Sequence, residues 1–177
     1  MKNAAVLAAV AGVVAAAGSA FGQFSGPYAP ANWNLNANGG NGSVNTAGAP
    51  ASVDLTGNDN GNGAPTNTDW TILVAGAGTV SFNWLYNTLD TGTYDSAYYL
   101  LNGNQTFLSY NSTPGASGSV SFPVVAGDTI GFRVTSADGV FGPGTLTVSN
   151  FGGPVPAPGT LALAGLGGLL TMRRRRR

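Results

Sequence analysis

The side chains that could bind a ligand or do chemistry in this sequence are almost all aspartates. Seven acids are present and none is a glutamate: Asp54, Asp59, Asp69, Asp90, Asp95, Asp128 and Asp138. Between the two ends of the chain the only basic residue is Arg133, so the central part carries a net charge of −6 although the whole chain is formally neutral. One arginine cannot neutralise a row of phosphates, so we predict no nucleic-acid partner. Cations, neutral glycans and other proteins remain as candidate partners.

Two residue types that carry much of enzyme chemistry are missing. The sequence has no histidine and no cysteine, which excludes Ser-His and Cys-His nucleophilic arrangements, disulfides and thiolate metal sites. Two carboxylates can form a glycosidase pair. Asp90 and Asp95, however, share one acidic loop in which nothing in the sequence raises the pKa of one carboxyl selectively. We therefore predict a non-catalytic protein.

The N-terminus has the organisation of a secretion signal. Met1-Lys2-Asn3 is followed by an Ala-rich apolar run over residues 4–18, and small residues permit cleavage after Ala20 or after Gly22. The run is shorter than the ~20 residues that a membrane-spanning helix needs. We predict a signal helix over residues 1–22, with Gln23 as the first mature residue. The alternative is a buried N-terminal helix.

The C-terminus has three parts in a fixed order. A proline motif, Val155-Pro156-Ala157-Pro158, precedes a Leu/Ala/Gly segment over residues 160–172, and five arginines follow. As a helix the apolar segment would extend about 20 Å, short of a ~30 Å hydrocarbon core. The arginines would stay on the cytoplasmic side by the positive-inside rule, which places the acidic central part outside.

This order resembles the PEP-CTERM sorting signal that exosortase-type enzymes process in Gram-negative bacteria, although Ala157 stands where that family usually has Glu. The resemblance implies an exosortase-type partner, transient tethering to the inner membrane, and delivery to the outer surface or the extracellular matrix. A permanent tail anchor and a basic lipid-binding terminus are the alternatives. The residues that the resemblance assigns to the motif are Val155, Pro156, Ala157, Pro158, Arg173, Arg174, Arg175, Arg176 and Arg177.

Between the ends, apolar and polar residues alternate with a period of two. In one stretch Val80, Phe82, Trp84 and Tyr86 share a face, and Gly, Asn and Pro clusters separate such stretches as turns. The pattern predicts an all-β fold, an antiparallel β-sandwich of jelly-roll or Greek-key type, over residues 23–153. Residues 23–65 are Asn/Gly-rich and loop-heavy, with strands expected near residues 33–36 and 52–55. Residues 154–177 form the tail, with a short hydrophobic helix.

The order of features in the central part also resembles a CUB-like domain. The stretches that carry the resemblance are Trp70-Thr71-Ile72, Val80-Ser81-Phe82-Asn83-Trp84, Leu89-Asp90, Tyr94-Asp95, residues 98–103, and Phe132-Arg133-Val134 ahead of Asp138 and Phe141-Gly142. In calcium-binding CUB domains three acids hold the ion, and the resemblance places them here at Asp90, Asp95 and Asp138. Ca²⁺ prefers six to eight oxygen ligands, which backbone carbonyls and waters would complete. The alternative is that these aspartates are solvated loop residues.

The aromatic residues divide into two expected groups. Phe82, Trp84, Phe122 and Phe132 fall on inward phases and are predicted to lie in the core. Two places are open for a second group, either outside, where flat rings stack on sugars, or in the interior or at its rim: Tyr28, Trp33, Tyr94, Tyr98 and Tyr110.

Two functions follow as expectations. The first is an exported, non-catalytic surface or matrix protein associated with extracellular polysaccharide or surface proteins. The alternative is a carbohydrate-binding module, with or without calcium.

Overall fold

A computed structural model describes residues 21–90, 93–110 and 116–155 of the chain. Residues 1–20 of the predicted signal helix and the predicted tail from Pro156 onward, including its five arginines and its short helix, lie outside the described residues. The last two residues of the predicted signal helix, Phe21 and Gly22, form a strand instead. Within the described part no helix is long and apolar enough to cross a membrane.

The described part is built almost entirely from β-strands, with two short 3₁₀ helices at Gly26–Tyr28 and Pro30–Asn32. The strands in chain order are β1 Phe21–Gly22, β2 Asn34–Asn36, β3 Ser43–Asn45, β4 Ser52–Thr56, β5 Thr66–Leu73, β6 Gly78–Asn87, β7 Asp95–Leu101, β8 Asn104–Ser109, β9 Ala116–Val124, β10 Thr129–Ser136 and β11 Thr145–Pro154.

These strands form two sheets that pack face to face. The first sheet has the order β3-β4-β11-β6-β9, with β1 paired to the end of β11, and the second sheet has the order β2-β5-β10-β7-β8. Every pairing is antiparallel. The predicted all-β antiparallel sandwich is therefore confirmed.

The core lies between the sheets and follows the alternation of the sequence. On β6, Val80, Phe82 and Tyr86 are buried, and Trp84 is partly buried against the same cluster. Phe132 on β10 meets Phe82 edge to face, with ring centroids 5.0 Å apart. Each such side chain contributes about 1.5–3 kcal/mol by leaving water, so the expected inward group holds the two layers together.

Two aromatic residues that the sequence left open between the surface and the interior are in the core. Trp33 stacks on Trp70 with ring centroids 4.1 Å apart and an interplanar angle of 14°. The Trp33 Nε1–H donates to the Tyr28 carbonyl at 3.0 Å, and the Tyr28 hydroxyl donates to the Pro154 carbonyl at 2.8 Å. The interior alternative therefore holds for both residues, because the two 3₁₀ helices turn this irregular segment inward.

The Asn/Gly-rich segment is held by side-chain amides. Strands β2 and β4 lie where strands were expected, and β3 is an addition. The Asn58 side chain is 1% exposed, and its Oδ1 accepts from the Asn41 backbone N at 3.0 Å. The Asn41 Oδ1 in turn accepts from the Asp59 backbone N at 2.8 Å. Asparagine side chains thus replace the backbone ladder that a regular sheet would supply.

The last strand of the fold reaches the start of the predicted sorting motif. Gly22 pairs with Gly153 and Phe21 with Pro154, and Val155 packs partly buried against the core. The first residue of the motif is therefore part of the folded domain.

Candidate binding site at the acidic end

Three loops meet at one end of the sandwich: residues 57–65 after β4, residues 88–90 and 93–94 between β6 and β7, and residues 137–144 after β10. Backbone hydrogen bonds join them, from Gly61 N to the Gly139 carbonyl at 2.7 Å and from Ala137 N to the Tyr94 carbonyl at 2.8 Å. We call this the acidic end because it carries four of the chain's seven acids: Asp59, Asp90, Asp95 and Asp138.

A pocket of about 410 Å³ opens at the acidic end and is lined by Leu89, Asp90, Tyr94, Asp138 and Phe141. We call it the end pocket. Three of its side chains are large, apolar and exposed: Leu89 at 85%, Phe141 at 78% and Tyr94 at 49%. Isolated exposed apolar residues need no explanation, but three of them around one concavity make it a candidate binding site. Of its two acids, Asp138 is partly exposed and Asp90 is 5% exposed.

The backbone of the β10–β11 loop holds the Phe141 ring at the surface. Phe141 has φ of +68°, in the left-handed region that costs a non-glycine residue about 1–2 kcal/mol. Hydrogen bonds on the preceding turn fix this shape: Gly139 N donates to the Ser136 Oγ at 3.0 Å, and Val140 N donates to the Asp138 Oδ1 at 3.2 Å. A bulky residue in this conformation, exposed at a pocket, points to function.

Asp95 lies beneath the pocket rather than in its lining. Its side chain is 2% exposed, and its Oδ2 accepts from the Thr88 Oγ1 at 3.1 Å. Burial raises the pKa of this carboxyl, hydrogen bonds from Ser136 and Thr88 offset part of the rise, and the nearby charge of Asp90 adds to it. The expectation that no carboxyl pKa is shifted selectively was therefore wrong, because the sequence does not show which acid is buried.

The Thr88 hydroxyl joins the two acids of this loop, since it donates to Asp95 and accepts from the Asp90 backbone N at 3.1 Å. Below them, burial and the nearby Asp95 carboxylate raise the pKa of the Tyr86 hydroxyl. That hydroxyl therefore stays protonated at neutral pH.

The three acids of the predicted calcium set are only partly brought together. Asp90 and Asp138 line the end pocket, while Asp95 is buried below it. In the described ranges no group of three or more acidic side chains is placed to hold a metal ion. Ca²⁺ needs six to eight oxygens, so two carboxylates would require backbone carbonyls or water for most of the shell. The calcium site stays a prediction.

The remaining candidates separate into two places. Tyr94 lines the end pocket, whereas Tyr98 and Tyr110 lie on the outer side of the second sheet. Leu89 and Phe141 were not singled out as ligand-facing. A sequence signal for such residues is a large apolar side chain that stands outside any alternating strand pattern and next to turn residues, as in Phe141-Gly142-Pro143.

No family model matches the chain, and a search of curated proteins finds no match. Among solved structures, it is similar to a family 35 carbohydrate-binding module from Clostridium thermocellum, with a TM-score of 0.34, 15% identity, and coverage of 74% of this chain and 97% of that chain. It is also similar to a family 35 module from an environmental isolate, with a TM-score of 0.38, 20% identity, and coverage of 71% and 99%.

A third similar structure is the module TmCBM61 in complex with β-1,4-galactotriose, with a TM-score of 0.38, 9% identity, and coverage of 74% of this chain and 89% of that chain. Similarity at this level carries no argument about what this chain binds.

Proposed function

We propose that the chain is an exported, non-catalytic carbohydrate-binding module of the cell surface or extracellular matrix, and that the end pocket binds the sugar. The observation that carries the proposal is that the exposed Tyr94 and Phe141 rings and the partly exposed Asp138 carboxylate surround one pocket of about 410 Å³, which the largely buried Asp90 also lines. Of the two functions expected from the sequence, this geometry favours the carbohydrate-binding module.

A sugar presents the two kinds of surface that the end pocket complements. Its ring faces carry C–H groups that pack on aromatic faces, and its hydroxyls donate hydrogen bonds to carboxylate oxygens. The volume falls in the range of ~300–1,000 Å³ that small-ligand pockets occupy. The lining contains no basic side chain, and the central part is acidic, so the proposed ligand is a neutral rather than an acidic sugar.

The non-catalytic part of the proposal is supported by the position of Asp95. A glycosidase needs one carboxyl of raised pKa beside the scissile bond. The carboxyl whose pKa is raised, Asp95, is buried and hydrogen-bonded to Thr88. It does not belong to the lining of the pocket. The two carboxyls that do line it, Asp90 and Asp138, have no histidine or cysteine partner anywhere in the sequence.

Export and delivery are proposed from the two ends of the sequence. The Met1-Lys2-Asn3 start with its apolar run supports secretion, and the proline motif with its arginine block supports processing by an exosortase-type enzyme. Under this proposal the mature module is acidic, because the basic residues at both ends are removed.

The test is calorimetry with neutral mono- to trisaccharides chosen from a glycan array, on the protein and on two variants matched in exposure. Tyr94 is 49% exposed in the end pocket, and Tyr110 is 48% exposed on the second sheet. We expect Tyr94→Ala to weaken binding by about ten-fold or more, which is ~1.4 kcal/mol, and Tyr110→Ala to leave it unchanged. Equal affinities of the protein and Tyr94→Ala would refute the proposed site.

A calcium arm of the same experiment tests the predicted ion. If calcium supports the pocket, EDTA lowers both the affinity and the melting temperature, added Ca²⁺ restores them, and Asp138→Ala removes the sensitivity. A melting temperature that EDTA does not change removes calcium from the proposal without affecting the sugar.

A further inference from the structure

The outer face of the second sheet carries a row of five side chains that run straight across its five strands. The register places Phe107 opposite Tyr98, Tyr98 opposite Arg133, Arg133 opposite Asp69, and Asp69 opposite Asn36. We call these five residues the cross-strand row. With neighbouring strands about 4.8 Å apart, it is about 19 Å long.

One half of the cross-strand row is aromatic and open to solvent. The Tyr98 and Phe107 rings are 5.6 Å apart at an angle of 71°, and the Tyr110 ring lies 5.4 Å from Phe107. Phe107 and Tyr110 are each 48% exposed. These contacts fix the rings in place while about half of the surface of the two outer rings faces water.

The other half of the row is polar and rigid. Arg133 Nε and Nη2 donate to the two carboxylate oxygens of Asp69 at 2.6 and 2.7 Å, and Nη1 donates to the Gln105 Oε1 at 3.0 Å. A guanidinium has five N–H groups, so two remain for a ligand. Because Asp69 compensates the charge of Arg133, this half offers directed hydrogen bonds without attracting a polyanion.

A cavity of about 510 Å³ lies beside the row on the same face, and its lining includes Asn34, Thr71 and Leu73. At the next position along the neighbouring register, Gly131 lies buried between Leu100 and Thr71. A Cβ at Gly131 would lie 2.7 Å from the Thr71 Cγ2, so the Thr71 side chain already fills that part of the face.

We propose that the cross-strand row, Tyr110 and the adjoining cavity form a second binding surface, which takes an extended neutral polysaccharide chain lying across the strands. The rings would pack against its sugar faces, and Arg133, Gln105 and Asn36 would bond its hydroxyls. This surface is separate from the end pocket, and it goes beyond the function proposed above because it selects for chain length.

A second copy of this chain is the competing occupant. A stable interface between proteins buries roughly 800 Å² per partner around an apolar centre. Here the apolar part of the row itself is the ring cluster at one edge, and the rest of the row consists of an amide and a compensated ion pair; the exposed Leu73 lies apart from the rings, at the adjoining cavity. A long, narrow, mixed surface of this kind suits a linear polyhydroxylated chain better than a flat protein partner.

The experiment measures retention of the full protein in native gels that contain β-1,4-galactan, hydroxyethylcellulose or β-1,4-xylan, beside calorimetry with short oligosaccharides. We expect retention by at least one polysaccharide, and a roughly five-fold or greater loss of affinity in Tyr110→Ala and Phe107→Ala, as for other stacking platforms. Their affinity for short oligosaccharides should not change. Tyr94→Ala should still be retained through the cross-strand row while losing short oligosaccharides.

Because cross-strand aromatic pairs also stabilise a sheet, the melting temperature of each variant is recorded. Tyr110 follows β8 and takes no part in its backbone pairing, so Tyr110→Ala tests binding without disturbing the sheet. Phe107→Tyr keeps an aromatic ring at its position and should keep the retention that Phe107→Ala loses. Full retention of Tyr110→Ala and Phe107→Ala, or no retention of the protein by any of the three polysaccharides, overturns the proposal. So does a concentration-dependent dimer in sedimentation that Tyr110→Ala dissociates. A failure of the proposed end pocket can be told apart from a failure of this surface. It would show as an unchanged affinity of Tyr94→Ala for short oligosaccharides, whatever the polysaccharide gels show.

Discussion

The outer faces of the two sheets are made by the same alternation of residues, yet their chemistry differs. On the first sheet Ser81 lies opposite Ser121, the Ser119 hydroxyl donates to the Asn83 Oδ1 at 2.8 Å, and the Thr147 hydroxyl donates to the Asp54 Oδ1 at 2.7 Å. Among the described residues no aromatic side chain points outward from that sheet. The second sheet carries the cross-strand row instead.

The difference shows that the sandwich does not need exposed rings in order to fold. A face of serine, threonine and asparagine covers one sheet, and its short side chains bond each other across the strands. The rings and the ion pair of the other sheet are therefore not a general requirement of a sheet in this sandwich, which agrees with the binding role that we propose for them. Three pairs of variants test the comparison, from the largest expected effect to the smallest.

The largest effect is expected from an interior ring. Trp33→Ala removes a buried side chain that stacks on Trp70, and loss of a buried tryptophan costs about 3–5 kcal/mol. Denaturant unfolding should show a correspondingly lower free energy of unfolding, whereas Tyr110→Ala should change it by less than about 1 kcal/mol. Similar losses for the two variants would break the distinction between rings that fold the domain and rings that bind.

An intermediate effect is expected from the polar groups of the two outer faces. Arg133 and Asp69 are only 19% and 15% exposed, so Arg133→Met leaves a poorly solvated carboxylate and should cost about 1–3 kcal/mol. The matched change on the first sheet, Thr147→Val, removes one hydrogen bond to Asp54 and should cost about 0.5–1.5 kcal/mol. Thermal unfolding measures both. If Thr147→Val cost more than Arg133→Met, the hydroxyl face would be the more constrained one.

The smallest effect on stability is expected from the ionisation of two acids, one buried and one exposed. Burial raises the pKa of Asp95, so above the unfolded value of about 4 its contribution to the free energy of unfolding falls as the pH rises towards the folded value. The exposed Asp128 has a lowered pKa because the Asn102 side chain and the Val125 backbone N donate to it. Its contribution is present above about pH 4 and is lost as the pH falls through the folded value.

Urea unfolding at several pH values between about 3 and 7 checks both signs. In Asp95→Asn, the fall in the free energy of unfolding as the pH rises above about 4 should become smaller. In Asp128→Asn, the fall as the pH drops below about 4 should become smaller. The same slope in both variants would show that neither carboxyl differs between the folded and unfolded states as described.

The strands could be predicted from the sequence because period-two alternation is a local signal that needs no partner. The cross-strand row could not, because Arg133 and Asp69 are 64 residues apart and only the register places them side by side. Tyr28 and Trp33 were left open between the surface and the interior, because they lie in and directly after the two 3₁₀ helices, where no period reports burial. Of the acidic end, Asp90 and Asp138 came from the CUB-like resemblance, and Tyr94 came from its residue type. Phe141 needed its backbone conformation, which depends on the turn before it.

Strand β11 sets a direction for the whole domain. It begins at Thr145, beside the acidic end, and finishes at Pro154, where Val155 starts the predicted tail. Ten extended residues cover about 30 Å, so the end pocket and the point of attachment lie at opposite poles. A domain attached to the cell through its C-terminal tail would point the end pocket, the proposed sugar site, away from the cell surface. The cross-strand row would lie on the side of the domain between the two ends. Capture of a ligand and attachment to the envelope would then never compete for the same space.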